Sequence, residues 1–326
     1  MPPHSDFREA HLWNLTSVHP TMASSDISTH LTRALQENAP VGPGIEPHLH
    51  AVIFESAAHP GRLIRARLVH AACIAHGLEE SSAEQLACAI EYFHLASLLL
   101  DDLPCMDDAQ LRRGRPCPHR VHGDASTILA SLAFINRAYA LANLCFAPQP
   151  PAVRIAAHAC LDACLGTSGL VGGQALDLRF AEGKGDARAV TVVAVRKTAA
   201  LFWLAVVFPA LLAQPSPAEL RALKALCLYW GLAYQAFDDL GDVLASSGDT
   251  GKTTGRDRLL QRPNLALALG VPAARTRLER LARQATATVC RLEQTHSHWG
   301  YLAEFHRTFF IGQVSILLGA ASLRAA

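Results

Sequence analysis

Residues 91–115 read EYFHLASLLLDDLPCMDDAQLRRGR, and this stretch decides how the rest of the chain is interpreted. An apolar helical run ends at two adjacent carboxylates, Asp101 and Asp102, and Asp107 follows beyond Pro104. Adjacent carboxylates next to apolar residues repel each other and resist desolvation. They therefore need a counter-charge, and a divalent cation that prefers oxygen ligands is the simplest one.

The proline in this stretch has a geometric consequence. Pro104 disfavours helical geometry at the residue before it, so the helix that carries Asp101 is predicted to end at about Leu103. In an unbroken helix, a carboxylate six residues after Asp101 would lie on the opposite side. The break therefore predicts that Asp107 folds back toward Asp101.

A second acidic cluster lies far downstream, where residues 234–242 read YQAFDDLGD. Asp238 and Asp242 are four residues apart and share one helix face, and Asp239 is adjacent to the first of them. Either cluster alone is compatible with a solvated acidic surface. Together they predict a carboxylate pocket for Mg²⁺, an ion that bridges to phosphate oxygens.

Basic side chains accompany the first acidic cluster. Arg112 and Arg113 follow it directly, and Arg62 and Arg65 lie three residues apart on one predicted helix face. Guanidinium groups match phosphate oxygens in pairs, so these arginines predict an anion site. A row of cations at a helix end is the alternative. His94 lies on the same helix as the first acidic pair, where a buried structural histidine is the alternative to a ligand.

The composition excludes several classes of protein. The chain has 326 residues with a formal net charge of +1, so no overall field favours nucleic acid. The nine cysteines lack paired spacing and fit a reducing compartment. The longest apolar run, residues 199–213, is shorter than the roughly 20 residues that a membrane span requires. With no signal pattern at the N-terminus, we expect a cytoplasmic protein without a transmembrane segment.

Helical periodicity dominates the chain, and alternating strand patterns are almost absent. The predicted fold class is all-α, a single-domain bundle of about a dozen helices around a central cavity over residues 26–326. Residues 1–25 are predicted to be a disordered leader. One helix is predicted over 152–180, despite the adjacent glycines Gly172 and Gly173, which indicate close packing or a ligand. Further predicted helices cover the ranges 186–197, 199–213, 217–244, 256–269, 273–294 and 301–323.

These motifs resemble those of a known family. DDLPCMDD followed by RRG, with YQAFDDLGD downstream, is similar to the two aspartate-rich motifs of trans-isoprenyl diphosphate synthases, the polyprenyl synthetase family. The resemblance extends over roughly residues 28–307. It implies a prenyltransferase, usually a homodimer, that joins isopentenyl diphosphate to an allylic diphosphate of C5 to C15. It also implies three Mg²⁺ ions bound with the diphosphate.

The resemblance assigns roles to individual residues. The implied Mg²⁺ ligands are Asp101, Asp102, Asp107, Asp238, Asp239 and Asp242. The residues implied to hold isopentenyl diphosphate are Arg62, Arg65, His94 and Arg113, with Arg112 on the allylic diphosphate. The implied catalytic positions of the allylic site are Lys197, Thr198, Gln235 and Lys252. Gln174 and Asp177 also fit the family pattern.

The chain departs from the family pattern at a few positions. The usual Gly-Gly-Lys before Arg65 is Pro60-Gly61-Arg62, which preserves the charge. The family's Gly-Asp in the helix after RRG is replaced by Ser131-Leu132. About 18 mostly apolar residues extend beyond the usual end of the family pattern.

The product length depends on what blocks the apolar tunnel. Ala96 and Ser97 lie five and four residues before Asp101, and the small Ala96 leaves space where an aromatic residue would stop growth early. Phe93 and Tyr92 are candidates for the floor one turn deeper. We therefore predict geranylgeranyl diphosphate, a C20 product, with farnesyl diphosphate (C15) as the next alternative.

Three other classes remain open at this point. A terpene cyclase also uses an aspartate-rich helix, but its second motif normally contains Asn, Ser and Glu. A noncatalytic subunit of a prenyltransferase usually loses acidic residues, whereas this chain retains them. A purely structural helical protein would need no Mg²⁺ and would not bind diphosphate.

Overall fold

The computed structural model describes residues 24–182, 186–244 and 260–311. Lys252, most of the predicted leader and the chain after residue 311 lie outside these residues. Ser24 and Ser25 of the predicted leader belong to the first helix. Within the described residues the chain is almost entirely helical, which confirms the predicted all-α bundle of about a dozen helices.

The helices follow one another with short connections. The N-terminal half contains α1 (Ser24–Glu37), α2 (Pro47–Ala58), α3 (Ile64–Ala75), α4 (Glu80–Asp101), α5 (Pro118–Phe146), α6 (Pro151–Leu165) and α7 (Leu170–Leu178). The C-terminal half contains α8 (Ala187–Ala194), α9 (Ala200–Ala210), α10 (Pro217–Leu244), α11 (Leu265–Leu269), α12 (Val271–Thr295) and α13 (Gly300–Phe305). Short 3₁₀ turns cover Phe180–Glu182, Leu211–Ala213 and Ser297–Trp299, and π-helical turns cover Val195–Ala199 and His306–Ile311.

Helix α4 lies at the centre of the N-terminal half and packs against α3 and α5. Tyr92 on α4 is fully buried; its hydroxyl donates to the Leu35 carbonyl of α1 at 2.6 Å, and its ring stacks on Phe134 of α5 at 5.1 Å. Each large apolar side chain buried in this way stabilises the fold by about 1.5–3 kcal/mol. The packing fixes the C-terminal end of α4, where the first acidic pair lies.

The range 152–180 is not one helix, as predicted, but the two helices α6 and α7. The chain turns between them because Gly169 passes so close to α6 that a Cβ atom there would lie 2.1 Å from the Cys164 carbonyl oxygen. The close packing expected of Gly173 is confirmed, since a Cβ there would lie 2.6 Å from the Lys197 backbone nitrogen. These glycines let α7 lie directly against residue 197.

The ranges 186–197 and 199–213 are not two separate helices but one continuous rod. The π-helical turn Val195–Ala199 joins α8 to α9, and the Ala200 N–H donates to the Val195 carbonyl across it. Such turns are rare and frequently lie at functional sites. This one contains Lys197 and Thr198, two of the predicted catalytic residues.

A two-stranded ribbon, which the sequence analysis did not predict, follows the first acidic cluster. Strand β1 (Leu111–Arg112) pairs antiparallel with β2 (Arg115–Pro116). The two residues between them, Arg113 and Gly114, have φ angles of 54° and 76°. Positive φ at both central positions is typical of a type I′ turn, which fits two-residue hairpins. The RRG motif thus forms the hairpin that orients Arg112.

Three helical segments, Pro118–Phe146, Pro151–Leu178 and Ala187–Ala213, meet the length and composition of a membrane span. The most apolar window of the third segment is 61% buried within the described fold. The sequence-based prediction of no membrane span counted only uninterrupted apolar runs. These three segments were not recognised because polar residues interrupt their apolar stretches. Length and composition alone do not make them membrane spans.

Candidate active site

The loop after α4 folds back on the helix end, as predicted from Pro104. The Asp107 N–H donates to the Asp101 carbonyl at 3.0 Å, and the Ala109 N–H donates to the Asp102 carbonyl at 3.1 Å. The second half of the acidic motif therefore lies beside the first half. This arrangement brings the three aspartates predicted as metal ligands on this side into one region.

Asp102 and Arg112 form a bidentate ion pair. Arg112 Nε donates to Oδ2 of Asp102 at 2.5 Å, and Nη2 donates to Oδ1 at 2.6 Å. Asp102 is 1% exposed, so this guanidinium supplies its counter-charge. Burial by itself lowers the pKa of Arg112, but the hydrogen bonds and charge of Asp102 outweigh it and raise that pKa. Arg112, predicted to bind phosphate, is thus paired with Asp102, predicted to bind Mg²⁺.

Lys197 lies among several carboxylates. Its Nζ is 2.6 Å from Oδ2 of Asp177 and 3.6 Å from Oδ2 of Asp101. Burial lowers the pKa of Lys197, but Asp101 and Asp177 together raise it above its ordinary value. Burial raises the pKa of Asp101 to about 6, although Lys197 opposes this and the nearby Asp107 adds to it. Lys197 therefore only partly offsets the burial of Asp101 and its repulsion by Asp107.

A chain of hydrogen bonds connects the π-helical turn with the second acidic cluster. Thr198 Oγ1 donates to Gln235 Oε1 at 2.8 Å, and Gln235 Nε2 donates to Asp239 Oδ1 at 2.8 Å. The other oxygen of Asp239 accepts from the Leu265 N–H at 2.6 Å. Since Lys197 contacts Asp101, residues 197 and 198 connect the two acidic clusters.

The three aspartates of α10 differ in exposure. Asp239 is 1% exposed, Asp242 is partly exposed and Asp238 is exposed. Asp238 and Asp242 lie one turn apart on the same side of the helix, as their spacing predicted. Asp239 instead points toward α11, where its carbonyl also accepts from Asn264 Nδ2 at 3.2 Å.

The predicted isopentenyl diphosphate residues form a second cluster. Arg65 Nη1 lies 3.3 Å from His94 Nε2, and the charges of both Arg65 and Arg113 act on His94. Burial, together with these cations, lowers the pKa of His94 well below its ordinary value. The ring is therefore neutral. Arg62 is exposed just before α3.

Glu91 belongs to this cluster, although the sequence analysis gave it no role. It is 1% exposed, and burial raises its pKa to about 6 despite the nearby charges of Arg65 and Arg113. Glu91 lies on α4 three residues before His94. This helical spacing from His94 is the one feature of the sequence that could have placed Glu91 near the cluster. Its charge acts on both Arg65 and Arg113, so it belongs to the electrostatics of this cluster.

Arg262 is a further residue that the sequence analysis missed. Its Nη2 donates to Asp107 Oδ1 at 2.6 Å and to the Met106 carbonyl at 3.0 Å, and its Nη1 donates to the Asp177 carbonyl at 3.1 Å. It thereby joins the acidic loop to the helix that carries Asp177. No local motif surrounds this arginine, so only the tertiary structure reveals it.

The predicted tunnel residues lie on α4 before the acidic pair. Ala96 is 1% exposed, and Phe93 packs edge-to-face on Tyr139 of α5 with ring centroids 5.0 Å apart. Tyr92 is anchored to α1 and α5, as described above. A separate cavity of about 390 Å³ lies between α6, α9 and α10 and is lined by Cys164, Trp203, Lys224 and Leu228 among others, none of them a predicted site residue.

The sequence matches the model of one protein family, described as Polyprenyl synthetase, over residues 46–298. The chain belongs to this family. The family resemblance inferred from the two acidic motifs is thereby confirmed.

Curated relatives agree with the family. The chain is 35% identical over 268 residues to "Geranylgeranyl pyrophosphate synthase 6, mitochondrial" of Arabidopsis thaliana, covering 78% of this chain and 80% of the relative. It is 35% identical to "Geranylgeranyl pyrophosphate synthase, chloroplastic" of Capsicum annuum, covering 74% of this chain and 66% of the relative. These names contradict the cytoplasmic location predicted above, which was wrong because it depended only on an absent signal pattern.

Solved structures share the fold. A FPP/GFPP synthase from Zymomonas mobilis has a TM-score of 0.72 and 30% identity, covering 88% of this chain and 96% of that one. A geranyltransferase from Helicobacter pylori, complexed with magnesium and isoprenyl diphosphate, has a TM-score of 0.78 and 24% identity, covering 90% and 99%. The second likeness supports the fold alone.

Proposed function

We propose that this family member is a trans-prenyltransferase that condenses isopentenyl diphosphate with an allylic diphosphate to give geranylgeranyl diphosphate. Relatives named geranylgeranyl pyrophosphate synthases support the product. The observation that carries the proposal is the pair of acidic clusters joined through Lys197 and Thr198, between Asp101 on one side and Gln235 and Asp239 on the other. Farnesyl diphosphate is the alternative product.

We propose that Mg²⁺ is held by Asp101, Asp102 and Asp107 from one side, and by the three aspartates of α10 from the other. The donor set fits: all six are carboxylates, the oxygen ligands that Mg²⁺ prefers. Around Lys197, burial raises the pKa of Asp101 to about 6 even with that lysine nearby, so this carboxylate has room for a further counter-charge. When bound, Mg²⁺ supplies Lewis-acid stabilisation of the leaving diphosphate.

The protein's own side chains bind the two substrates and stabilise the charges that develop during the reaction. Lys197 and Arg112 hold the allylic diphosphate and stabilise the negative charge that develops when the carbon–oxygen bond breaks. Arg65 and Arg113 hold isopentenyl diphosphate so that its double bond faces the allylic carbon, and the nearby charge of Glu91 acts on both. The oxygens of Thr198 and Gln235 offer electron density to the carbocation.

The last step removes a proton. In the proposal the released diphosphate accepts it, so no protein side chain acts as a general base. The neutral His94 fits this role assignment, because it serves as a ligand and carries no charge that would oppose the carbocation.

We also propose that the chain acts as a homodimer and that residues 26–326 form one domain. The outward face of α5 supports the dimer: Ile128, Leu129, Leu132 and Tyr139 are 40%, 53%, 56% and 38% exposed. Leu132 stands where the family pattern has Asp, so the departure adds apolar surface. A second copy of this face is a suitable partner. The mass in solution should fall from dimer to monomer in Leu129→Asp, with Ser126→Asp on the same helix as the control.

The decisive experiment incubates the protein with labelled isopentenyl diphosphate and C5, C10 or C15 allylic diphosphates, with and without Mg²⁺. We expect metal-dependent chain growth that ends at C20. Growth that stops at C15 would replace the product assignment and leave the class intact. A cyclic hydrocarbon released from the allylic partner alone would favour a terpene cyclase. No turnover with any partner would favour a noncatalytic subunit.

A further inference from the structure

Four side chains from three helices meet at the opposite end of α4 from the acidic motif. His30 belongs to α1, His70 to α3, and Glu80 and Glu84 to α4. Glu80 begins the helix that Asp101 ends, so the cluster lies about 30 Å along α4 from the candidate active site. The proposed chemistry makes no use of these residues.

Their ligand atoms lie close together. His30 Nε2 is 2.5 Å from Glu84 Oε1 and 3.5 Å from Glu80 Oε1, and His70 Nε2 is 2.7 Å from Glu80 Oε1. One ligand atom from each of His30, His70 and Glu80 lies within 4.8 Å of the others. Among the residues that the structure describes, this is the one group of three such side chains that approaches so closely.

We propose that this cluster binds a divalent transition-metal ion, with Zn²⁺ as the best match to its ligands. His30, His70 and Glu80 supply three donors within 4.8 Å of one another, and Glu84 lies beside His30 as the fourth, the number that structural zinc sites use. Imidazole nitrogen excludes Mg²⁺ and Ca²⁺ as preferred ions, because both favour oxygen ligands. The site is thus distinct in chemistry from the carboxylate pocket.

The distances suit such an ion. Zinc bonds of about 2.0–2.2 Å place tetrahedral donors about 3.4 Å apart. The contacts of His30 and His70 with the two glutamates run from 2.5 to 3.5 Å, so these pairs must spread by less than about 1 Å. The ligand atoms of His30, His70 and Glu80 all lie within 4.8 Å of one another, so small side-chain movements bring them to this spacing. The side chain of Glu80 is 51% exposed and that of Glu84 is 23% exposed, which leaves them room to move. The His70 side chain is 9% exposed and fixes the inner wall.

The nitrogen of His30 gives an independent indication. His30 Nε2 is buried and has no hydrogen bond of acceptable geometry, although Glu84 Oε1 is 2.5 Å away. A close approach without hydrogen-bond alignment is the arrangement expected of two ligands directed at one ion. A plain ion pair would instead align the N–H with the carboxylate. His70 Nε2 and Glu80 Oε1 are aligned in this way at 2.7 Å, so their hydrogen bond must break when an ion binds.

The second ring nitrogen of His30, Nδ1, can change its hydrogen bond when an ion binds at Nε2. Binding through Nε2 leaves Nδ1 as an N–H donor, and Arg33 Nη2 now lies 3.2 Å from it. The Arg33 side chain is 65% exposed and also approaches Glu37 at 3.7 Å. Arg33 therefore turns to Glu37 when the ion binds, and His30 Nδ1 donates to water.

The consequence of binding is structural. Helix α1 is the first helix of the described bundle and packs against α2, α3 and α4. An ion shared by α1, α3 and α4 would attach this helix to the bundle. Metal binding to the folded state alone stabilises that state by mass action.

The test is a Co²⁺ and Zn²⁺ titration of the full chain in saturating Mg²⁺, which occupies the carboxylate pocket. We expect one tightly bound ion per chain, Co²⁺ absorption bands of a tetrahedral nitrogen–oxygen site, and a higher melting temperature with Zn²⁺. His70→Gln should weaken binding by about tenfold at least, since even outer-shell changes have that effect. His158→Gln, an exposed histidine of α6, is the control and should behave as wild type.

The remaining variants keep the test decisive if His70→Gln does not fold. His30→Gln and Glu84→Gln alter partly exposed side chains and should show the same loss while the helical circular dichroism is unchanged. Equal binding in wild type and in every folded variant would overturn the proposal. A thiolate-to-cobalt charge-transfer band would also overturn it, because it would assign the ion to a cysteine such as the exposed Cys105.

Discussion

Arg262 Nη2 lies 2.6 Å from Asp107 Oδ1, although 155 residues separate the two in the chain. The same guanidinium also holds the Met106 and Asp177 carbonyls. The acidic loop after α4 is thus fixed from the C-terminal half of the chain. This contact sets how the two halves of the candidate site face each other.

Replacing Arg262 should therefore impair catalysis more than stability. Arg262→Gln removes the fork that orients Asp107, and we expect kcat/KM to fall by about 10–100-fold, the usual effect of outer-shell partners of a metal site. Steady-state kinetics at varied Mg²⁺ would measure the loss. Arg188→Gln, an exposed arginine of α8, is the matched control and should keep wild-type values. Unchanged kinetics in Arg262→Gln would remove this arginine from the site.

The buried pair of Asp102 and Arg112 predicts a non-additive pair of variants. Arg112→Gln leaves a carboxylate that is 1% exposed without its bidentate partner, and the free energy of unfolding should fall by about 3 kcal/mol. Adding Asp102→Asn removes the buried charge and should restore part of that loss. Urea denaturation without Mg²⁺ would measure both. Additive losses would show that the two side chains do not stabilise each other.

Product length should respond to Ala96. This residue is 1% exposed on α4, close to the acidic pair, and Ala96→Tyr adds a ring where the growing chain is expected to pass. We expect products shorter than C20, identified by chromatography of the hydrolysed alcohols. Ala96→Ser changes the volume little and should keep the wild-type product. If the tyrosine variant still makes C20, the tunnel runs elsewhere.

His306 predicts a loss of stability in acid. Its side chain is 5% exposed; Nδ1 accepts from Trp230 Nε1 at 3.0 Å, and Nε2 lies 2.8 Å from Thr286 Oγ1. Burial lowers its pKa from 6.5 to about 4, so the folded state resists protonation that the unfolded chain accepts. The stabilisation is complete above pH 6.5 and is lost as the pH falls toward 4, about 3 kcal/mol in total.

Urea denaturation of wild type and His306→Gln across this pH range would isolate the effect. The difference in unfolding free energy between the two proteins should shrink with acid, because glutamine does not titrate. Exposed His158→Gln serves as the control and should follow the wild-type curve. Parallel curves for wild type and His306→Gln would show that His306 is not the titrating group.

Much of the site could be predicted from local sequence. The break at Pro104, the return of Asp107 to Asp101 and the shared face of Asp238 and Asp242 all follow from helix geometry over a few residues. Family resemblance added Lys197, Thr198 and Gln235, which the structure connects to both acidic clusters. Lys252 lies outside the described residues and stays a prediction.

The sequence by itself determined the helices, their acidic ends and the family, because helical periodicity and proline breaks act over one or two turns. Only the tertiary structure decided that Lys197 lies in a π-helical turn, since that geometry depends on Gly173 and Gly231 letting two helices approach it. It also decided the contact of Arg262 with Asp107 and the meeting of His30 with His70. Contacts between residues far apart in the chain depend on packing, which local patterns do not encode.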